Sequence, residues 1–154
     1  MSRDEHHMVT IPRKSLITLY TSFARFNLDY ADVVFDQPHN ETFCSTIEKI
    51  QYNAALAITG AIRGTSRERL YQELGFESLR DRRWFHRLCC IFKVIRNESP
   101  RYLFSILPKV CSRNPARKNL FSNIPCNTAY FSNSFIPYAI AEWNKLGNAV
   151  RVIY

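Results

Sequence analysis

Three aspartates stand at intervals that place carboxylates on one side of a helix. Asp29, Asp32 and Asp36 occupy positions i, i+3 and i+7, which share a helix face. Residues 30–32, Tyr-Ala-Asp, resemble the start of an aromatic-x-Asp-Asp turn, whose two adjacent carboxylates hold two divalent metals about 4 Å apart. Val33 stands where the second carboxylate would be. We therefore predict a solvated acidic face, with loose Mg²⁺ binding as the less favoured alternative, and assign no catalytic or metal residue.

Arginines concentrate between residues 67 and 87. The six candidates for contact with nucleic-acid phosphates are Arg67, Arg69, Arg80, Arg82, Arg83 and Arg87. Such contacts are independent of base sequence. The net charge of +8, from 21 Lys+Arg against 13 Asp+Glu, favours a polyanionic partner. The alternative is a solvated helix face whose local acidic partners are Glu68, Glu73, Glu77 and Asp81.

A helix-turn-helix is a second interpretation of the same region. Gly75 separates two predicted helices, and Arg82, Arg83 and His86 would then reach into a major groove. The second helix is long, however, and carries Trp84 on its predicted apolar face. An ordinary helical hairpin is therefore favoured.

Other chemical patterns are missing from the sequence. The four histidines have no ligand spacing with the cysteines, and no Ser or Cys has a neighbouring His and carboxylate. Five cysteines without a C-x-x-C pair indicate structural thiols in a reduced, intracellular protein. No apolar run approaches the roughly 20 residues that cross a bilayer, and the polar start is not a secretory signal. We predict no cofactor, no membrane partner and no secretion.

Apolar spacing predicts an all-α fold of about six helices. The predicted divisions are a disordered leader (1–12), a helical domain (13–108), an irregular connection (109–132), and a last helix with its tail (133–154). Local signals bound two helices: Ser45 with Glu48 and a stop at Gly64 for one, and the capping-box spacing of residues 65–68 (Thr-Ser-Arg-Glu) with a stop at Gly75 for the next. The apolar arc predicted for the first of these comprises Phe43, Ile47, Ile50, Ala54, Ala57, Ile58 and Ala61.

The helix predicted from about Leu79 to Arg96 carries most of the candidate arginines. Its predicted core face comprises Trp84, Leu88, Ile91, Phe92 and Ile95, and its solvent face comprises Arg82, His86 and Lys93. We expect Arg83 and Arg87 to flank the core face, with their stems packed and their guanidinium groups directed outward.

Six collinear stretches between Pro12 and Leu146 resemble the non-LTR retrotransposon reverse transcriptases of the Jockey type. They read LDYADVVFD (28–36), IEKIQYNAALAITGA (47–61), GTSRERLYQELG (64–75), LRDRRW (79–84), SPRYL (99–103) and EWNKL (142–146). The chain departs from the family before Leu28, where Arg25-Phe26-Asn27 replaces an Arg-Pro-His-like step. We therefore expect the bend that a proline would impose to be missing.

The resemblance implies the thumb and connection that follow the polymerase palm, a helical region thought to hold the template–primer duplex. The palm, fingers and endonuclease of that family are not in this sequence. We expect a fragment of an RNA-directed DNA polymerase that is not catalytic by itself and contacts nucleic-acid backbone non-specifically. A free-standing DNA-binding module (the helical pair 66–96) and a non-functional relic are the alternatives. A marginal fold that self-associates through an exposed apolar patch is also expected.

Overall fold

The computed structural model of this chain describes residues 11–108 and 121–146. The described residues form nine α-helices and one π-helical segment joined by loops, so the predicted all-α fold is confirmed. The α-helices are α1 (Arg13–Leu19), α2 (Phe26–Asp29), α3 (Asp32–Phe35), α4 (Glu41–Thr59), α5 (Arg67–Leu74), α6 (Leu79–Ile95), α7 (Arg101–Ile106), α8 (Ala129–Ser132) and α9 (Phe135–Lys145). Most of the predicted leader and connection, and the tail, lie outside the described residues.

The first helical stretch runs without a break from α1 through the π-helical segment Tyr20–Arg25 into α2. The Arg25-Phe26-Asn27 step lies within this continuous helical stretch. Near the start of the π-helical segment, the Thr21 and Ser22 hydroxyls donate to the carbonyl of Thr18 at 3.1 and 2.6 Å. Such bonds compete with the backbone ladder and bend helices. The stretch ends at Ala31, whose left-handed φ of 52° turns the chain into α3.

Helix α4 begins and ends earlier than predicted. Asn40, not Ser45, is its N-cap, and the Asn40 side chain accepts a 3.0 Å bond from the Phe43 N–H. Gly60, not Gly64, ends it in the left-handed conformation. Helix α5 ends at Gly75 as predicted, but its N-cap is Ser66, one residue after the Thr65 that the capping-box spacing indicated.

Two apolar clusters surround the central helices. The first joins the N-terminal stretch to α4 and α5, and its buried members are Tyr20, Ala55, Leu56, Ile58, Leu70, Tyr71 and Phe76. The second joins α6 to α9, and its buried members are Leu88, Ile91, Phe121, Ala139, Ile140 and Trp143. Helix α9 therefore completes a core shared with α6, although the sequence assigned it to a separate C-terminal segment.

The irregular segment predicted for residues 109–132 contains one short helix in its described part. Helix α8 begins after Thr128, whose hydroxyl accepts a 3.2 Å bond from the Phe131 N–H. Four residues are too short for the periodicity that reveals longer helices. Among the described helices, none combines the length and apolar character that crossing a bilayer requires.

Candidate functional site

The N-terminal half of α6 faces the segment that carries the three aspartates. Arg82, Arg83, His86 and Arg87 occupy positions i, i+1, i+4 and i+5 of α6, so they project towards adjoining directions on the helix. The segment 28–36 contacts α6 through α3. The acidic set, predicted as a solvated face, and the basic set, predicted to contact phosphates, therefore meet.

The outer part of this contact consists of two pairs. Nε of Arg82 donates to Oδ2 of Asp29 at 2.9 Å, and both side chains remain partly exposed. Nδ1 of His86 lies 2.6 Å from Oδ2 of Asp32, whose side chain is only 4% exposed. These pairs fix the end of α2 and the start of α3 against α6.

The inner part is a buried arrangement of two arginines around one carboxylate, here called the Asp36 triad. Arg83 Nη1 donates to Oδ1 of Asp36 at 3.2 Å, and Arg87 donates to Oδ2. The three side chains are 8%, 5% and 5% exposed. Arg83 also donates to the Leu28 carbonyl at 3.0 Å, so its two terminal nitrogens are both engaged.

Aromatic rings cover the outer surfaces of the Asp36 triad. The Arg83 guanidinium carbon lies 5.6 Å from the ring centroid of Phe43, and that of Arg87 lies 5.1 Å from the ring centroid of Tyr138. Rings at this distance attract a cation and exclude water from it. The triad is therefore a structural junction of the segment 28–36, α4, α6 and α9.

These positions correct the sequence interpretation at two points. The Asp32 and Asp36 side chains are buried, so the predicted solvated acidic face was wrong. The Arg83 and Arg87 guanidinium groups point into the protein rather than outward, whereas Trp84, predicted in the core, is 40% exposed. Arg83 and Arg87 can lie on the buried face of α6 because carboxylates from another segment of the chain neutralise their charge.

The ligand atoms of Asp29, Asp32 and His86 lie within 4.8 Å of one another, a spacing that a metal ion could bridge. Arg82 already bonds to Asp29, and His86 already bonds to Asp32. The guanidinium groups of the neighbouring arginines add positive charge, which opposes a cation at this point. The arrangement fits ion pairing better than metal binding.

A second polar network ties α4 to α5 and to the start of α6. The buried Glu48 carboxylate accepts bonds from the Tyr71 hydroxyl at 2.7 Å and from the Leu79 N–H at 3.0 Å. Gln51 accepts a 2.8 Å bond from the Tyr20 hydroxyl and donates at 2.8 Å to the Glu77 carbonyl. Both α4 residues are polar side chains that the sequence pattern did not place in the core.

The hydroxyl of Tyr71 should matter measurably to stability. Replacing Tyr71 with Phe removes one bond to a buried carboxylate, and we expect the free energy of unfolding to fall by about 1.5–3 kcal/mol.

Burial, together with the hydrogen bond to Glu48, raises the pKa of Tyr71 above its ordinary value of 10.0. The folded chain therefore keeps this proton where the unfolded chain loses it, so stability falls as pH rises above about 10. Thermal unfolding between about pH 8 and pH 11 should show a smaller alkaline loss in Tyr71→Phe than in the wild type. An identical pH dependence would contradict this role.

A cleft of about 390 Å³ lies between α4, α6 and α9, beside the Asp36 triad. Its walls carry both signs of charge, including Glu48, Glu142 and Arg80. Cys44 also lines it, but burial raises the pKa of this thiol, which keeps it in its poorly nucleophilic protonated form. Cys44 is therefore not an activated nucleophile.

The remaining candidate arginines stay on the surface. The Arg80 side chain is 62% exposed and lies 3.7 Å from the Glu41 carboxylate, whose side chain is 78% exposed. Arg67 and Arg69, in the first turn of α5, are exposed and make no ion pair with any described residue. Arg63, which the sequence analysis did not select, is likewise exposed four residues before Arg67. Arg63 lies close in sequence to Arg67 and Arg69, and this clustering is the signal that could have identified it.

The loop before α5 is held against α4, which fixes the base of this cationic group. The Tyr52 hydroxyl donates to the Thr65 carbonyl at 2.9 Å and accepts from the Gly64 N–H at 3.2 Å. Arg63, Arg67 and Arg69, here called the α5 basic group, therefore lie on an anchored loop and the helix start that follows it.

The side chains that a helix-turn-helix would use for base contacts form ion pairs within the protein. Arg82, Arg83 and His86 pair with the three aspartates of the segment 28–36. Helices α5 and α6 each pack on α4. In this arrangement the three side chains are not directed to base edges.

Comparison of the chain with protein-family models, with curated proteins and with solved structures finds no match.

Proposed function

We propose that this chain is a thumb-and-connection segment of a mobile-element RNA-directed DNA polymerase, which contacts the nucleic-acid backbone and performs no catalysis by itself. The proposal rests on the collinear sequence resemblance and on one structural observation. That observation is the α5 basic group, three exposed arginines on a loop and helix start that are anchored to α4.

Charge and geometry support backbone contact at this position. Arg63, Arg67 and Arg69 have no described acidic partner, so binding a phosphate breaks no existing ion pair. Arg83 and Arg87, by contrast, would have to leave Asp36 and cross the protein interior to reach a phosphate. The proposed interface therefore keeps Arg67 and Arg69 from the sequence prediction, adds Arg63, and excludes the Asp36 triad.

The lack of catalysis is supported by the use of the acidic residues. Asp29, Asp32 and Asp36 each bond to a basic side chain of α6. A two-metal centre requires carboxylates that are available to two divalent ions. The structural role of these aspartates therefore agrees with the missing second carboxylate at Val33.

The proposal predicts sequence-independent binding. The purified chain should bind two duplexes of unrelated sequence with affinities that agree within about threefold, because phosphate contacts carry no base information. Fluorescence anisotropy at fixed salt measures both affinities, and a primer–template with Mg²⁺ or Mn²⁺ tests extension in parallel. A preference of about 1,000-fold or more for one duplex would indicate specific recognition. Primer extension above a heat-inactivated control would overturn the non-catalytic assignment.

A further inference from the structure

Residues 62–65 form a tight turn, here called the Arg63 turn, which presents one member of the α5 basic group. The N–H and the hydroxyl of Thr65 both donate to the Ile62 carbonyl, at 3.1 and 2.8 Å. Gly64 has a left-handed φ of 102°, which residues with a side chain rarely adopt. Arg63 stands between Ile62 and Gly64, so the conformation of this turn sets where its exposed side chain leaves the backbone.

Tyr52 binds the Arg63 turn from α4. Its hydroxyl donates to the Thr65 carbonyl at 2.9 Å and accepts from the Gly64 N–H at 3.2 Å, so it bonds to a backbone acceptor and a backbone donor of the turn. The Tyr52 ring is half-buried against the first apolar cluster. The hydroxyl is therefore fixed at the end of a packed ring and holds the turn in one position relative to α4.

The other two arginines of the α5 basic group depend on different contacts. Arg67 and Arg69 lie on α5, whose start is capped by a 3.3 Å bond from the Arg69 N–H to the Ser66 hydroxyl. The buried side chains of α5 belong to the first apolar cluster. Loss of the Tyr52 hydroxyl should therefore release the Arg63 turn and leave α5 in place.

We propose that Tyr52 is a positioning residue of the nucleic-acid interface, which holds Arg63 where it binds backbone phosphate together with Arg67 and Arg69. This role rests on the proposed function, because Tyr52 acts through Arg63 instead of contacting nucleic acid. A segment that is ordered before binding does not lose conformational freedom on binding, and this increases affinity. The two Tyr52 hydrogen bonds supply that order.

A double-mutant cycle on duplex affinity tests the positioning role. Tyr52→Phe removes both hydrogen bonds and keeps the ring, and affinity for a duplex should fall by about 5- to 10-fold because the turn must then be ordered on binding. In an Arg63→Ala background the same change should alter affinity by less than about twofold, since the positioned side chain is gone. A general weakening of the fold would reduce affinity equally in both backgrounds.

Two further variants separate the Arg63 turn from the rest of the protein. Tyr20→Phe is the matched control, because it removes a buried hydroxyl that bonds to Gln51, and it should leave affinity within about twofold. Gly64→Ala perturbs the turn itself. An added Cβ at residue 64 meets no atom within 4 Å, so the strain comes from the left-handed φ. Its loss of affinity should also disappear in the Arg63→Ala background.

Amide hydrogen exchange without nucleic acid measures the Tyr52 contact independently of binding. The Gly64 N–H should exchange at least about tenfold faster in Tyr52→Phe than in the wild type, with both shown to be folded by circular dichroism. An unchanged exchange rate would overturn the positioning role.

The binding results distinguish failure of this role from failure of the proposed function. Duplex binding by the wild type with unchanged affinity in Tyr52→Phe would overturn the positioning role alone. An equal loss of affinity with and without Arg63 would do the same. A wild type that binds no duplex would overturn the proposed function, and the positioning role with it.

Discussion

Replacing Asp36 with Asn is expected to lower the free energy of unfolding by about 3–5 kcal/mol, the usual result of removing one partner from a buried ion pair. The Asn side chain has nearly the same shape, so the change removes charge without creating a cavity. Arg83 and Arg87 would keep their positive charges in an interior where they are 8% and 5% exposed. The NH₂ group of the new amide would also face one of the two arginine donors, with which it cannot form a hydrogen bond.

Urea denaturation followed by circular dichroism measures this loss. The matched control is Glu77→Gln, which removes an equal charge from an exposed side chain that makes no ion pair with the described residues. It should change stability by no more than about 0.5 kcal/mol. A loss below about 1 kcal/mol in Asp36→Asn would mean that the Asp36 triad does not hold the fold together.

A variant of the Asp36 triad without any charge distinguishes two effects. One is the loss of a single ion-pair partner, and the other is the absence of buried charge altogether. Asp36→Leu combined with Arg83→Met and Arg87→Met should restore most of the stability lost in Asp36→Asn, because apolar replacements of similar volume often match a buried ion pair. This variant also keeps the surface arginines intact. It is therefore suited to binding measurements in which the interior arginines are absent.

The parts of the fold that local signals determine could be predicted from the sequence. Helix α5 is bounded by a serine that caps its own first turn and by a glycine in the left-handed conformation. Helix α4 was misplaced at both ends because Asn40 and Ser45 offer two competing starts, and because Gly60 and Gly64 offer two competing stops. Each alternative satisfies the same capping rule, and only packing selects one.

The buried faces were less predictable because polar side chains occupy them. The predicted arc of α4 included Ile50 and Ala57, which are exposed, whereas Glu48 and Gln51 are buried. Hydrophobic periodicity assigns polar residues to solvent. It cannot anticipate that Tyr71 and Tyr20, from other helices, satisfy these two side chains.

The Asp36 triad was missed for the same physical reason. Asp36 and its arginine partners stand 47 and 51 positions apart in the sequence. Within their own segments, both sets have the pattern of solvated helix faces. Only the approach of α3 to α6 shows that they neutralise each other. The arginines of α5 are exposed and form no ion pair with a described residue distant in sequence, so their local sequence misses no such partner.

The most direct test of the proposed nucleic-acid interface is the dependence of duplex affinity on salt, measured from about 50 to 200 mM. For phosphate contacts to duplex DNA, log affinity falls by about 0.9 per neutralised phosphate for each decade of salt. Arg63→Ala, Arg67→Ala and Arg69→Ala together should flatten the slope by up to about 2.7 units.

Two comparison variants make the slope decisive. Lys93→Ala, Arg101→Ala and Lys145→Ala remove three exposed cations far from α5 in the sequence and should change the slope much less. The charge-free triad should keep the wild-type slope, because its arginines lie inside the protein. We expect the largest flattening of the slope in the α5 variant. A wild type that binds no duplex would contradict the proposed interface. A slope that is unchanged in the α5 variant and flattened in the charge-free triad would also contradict it.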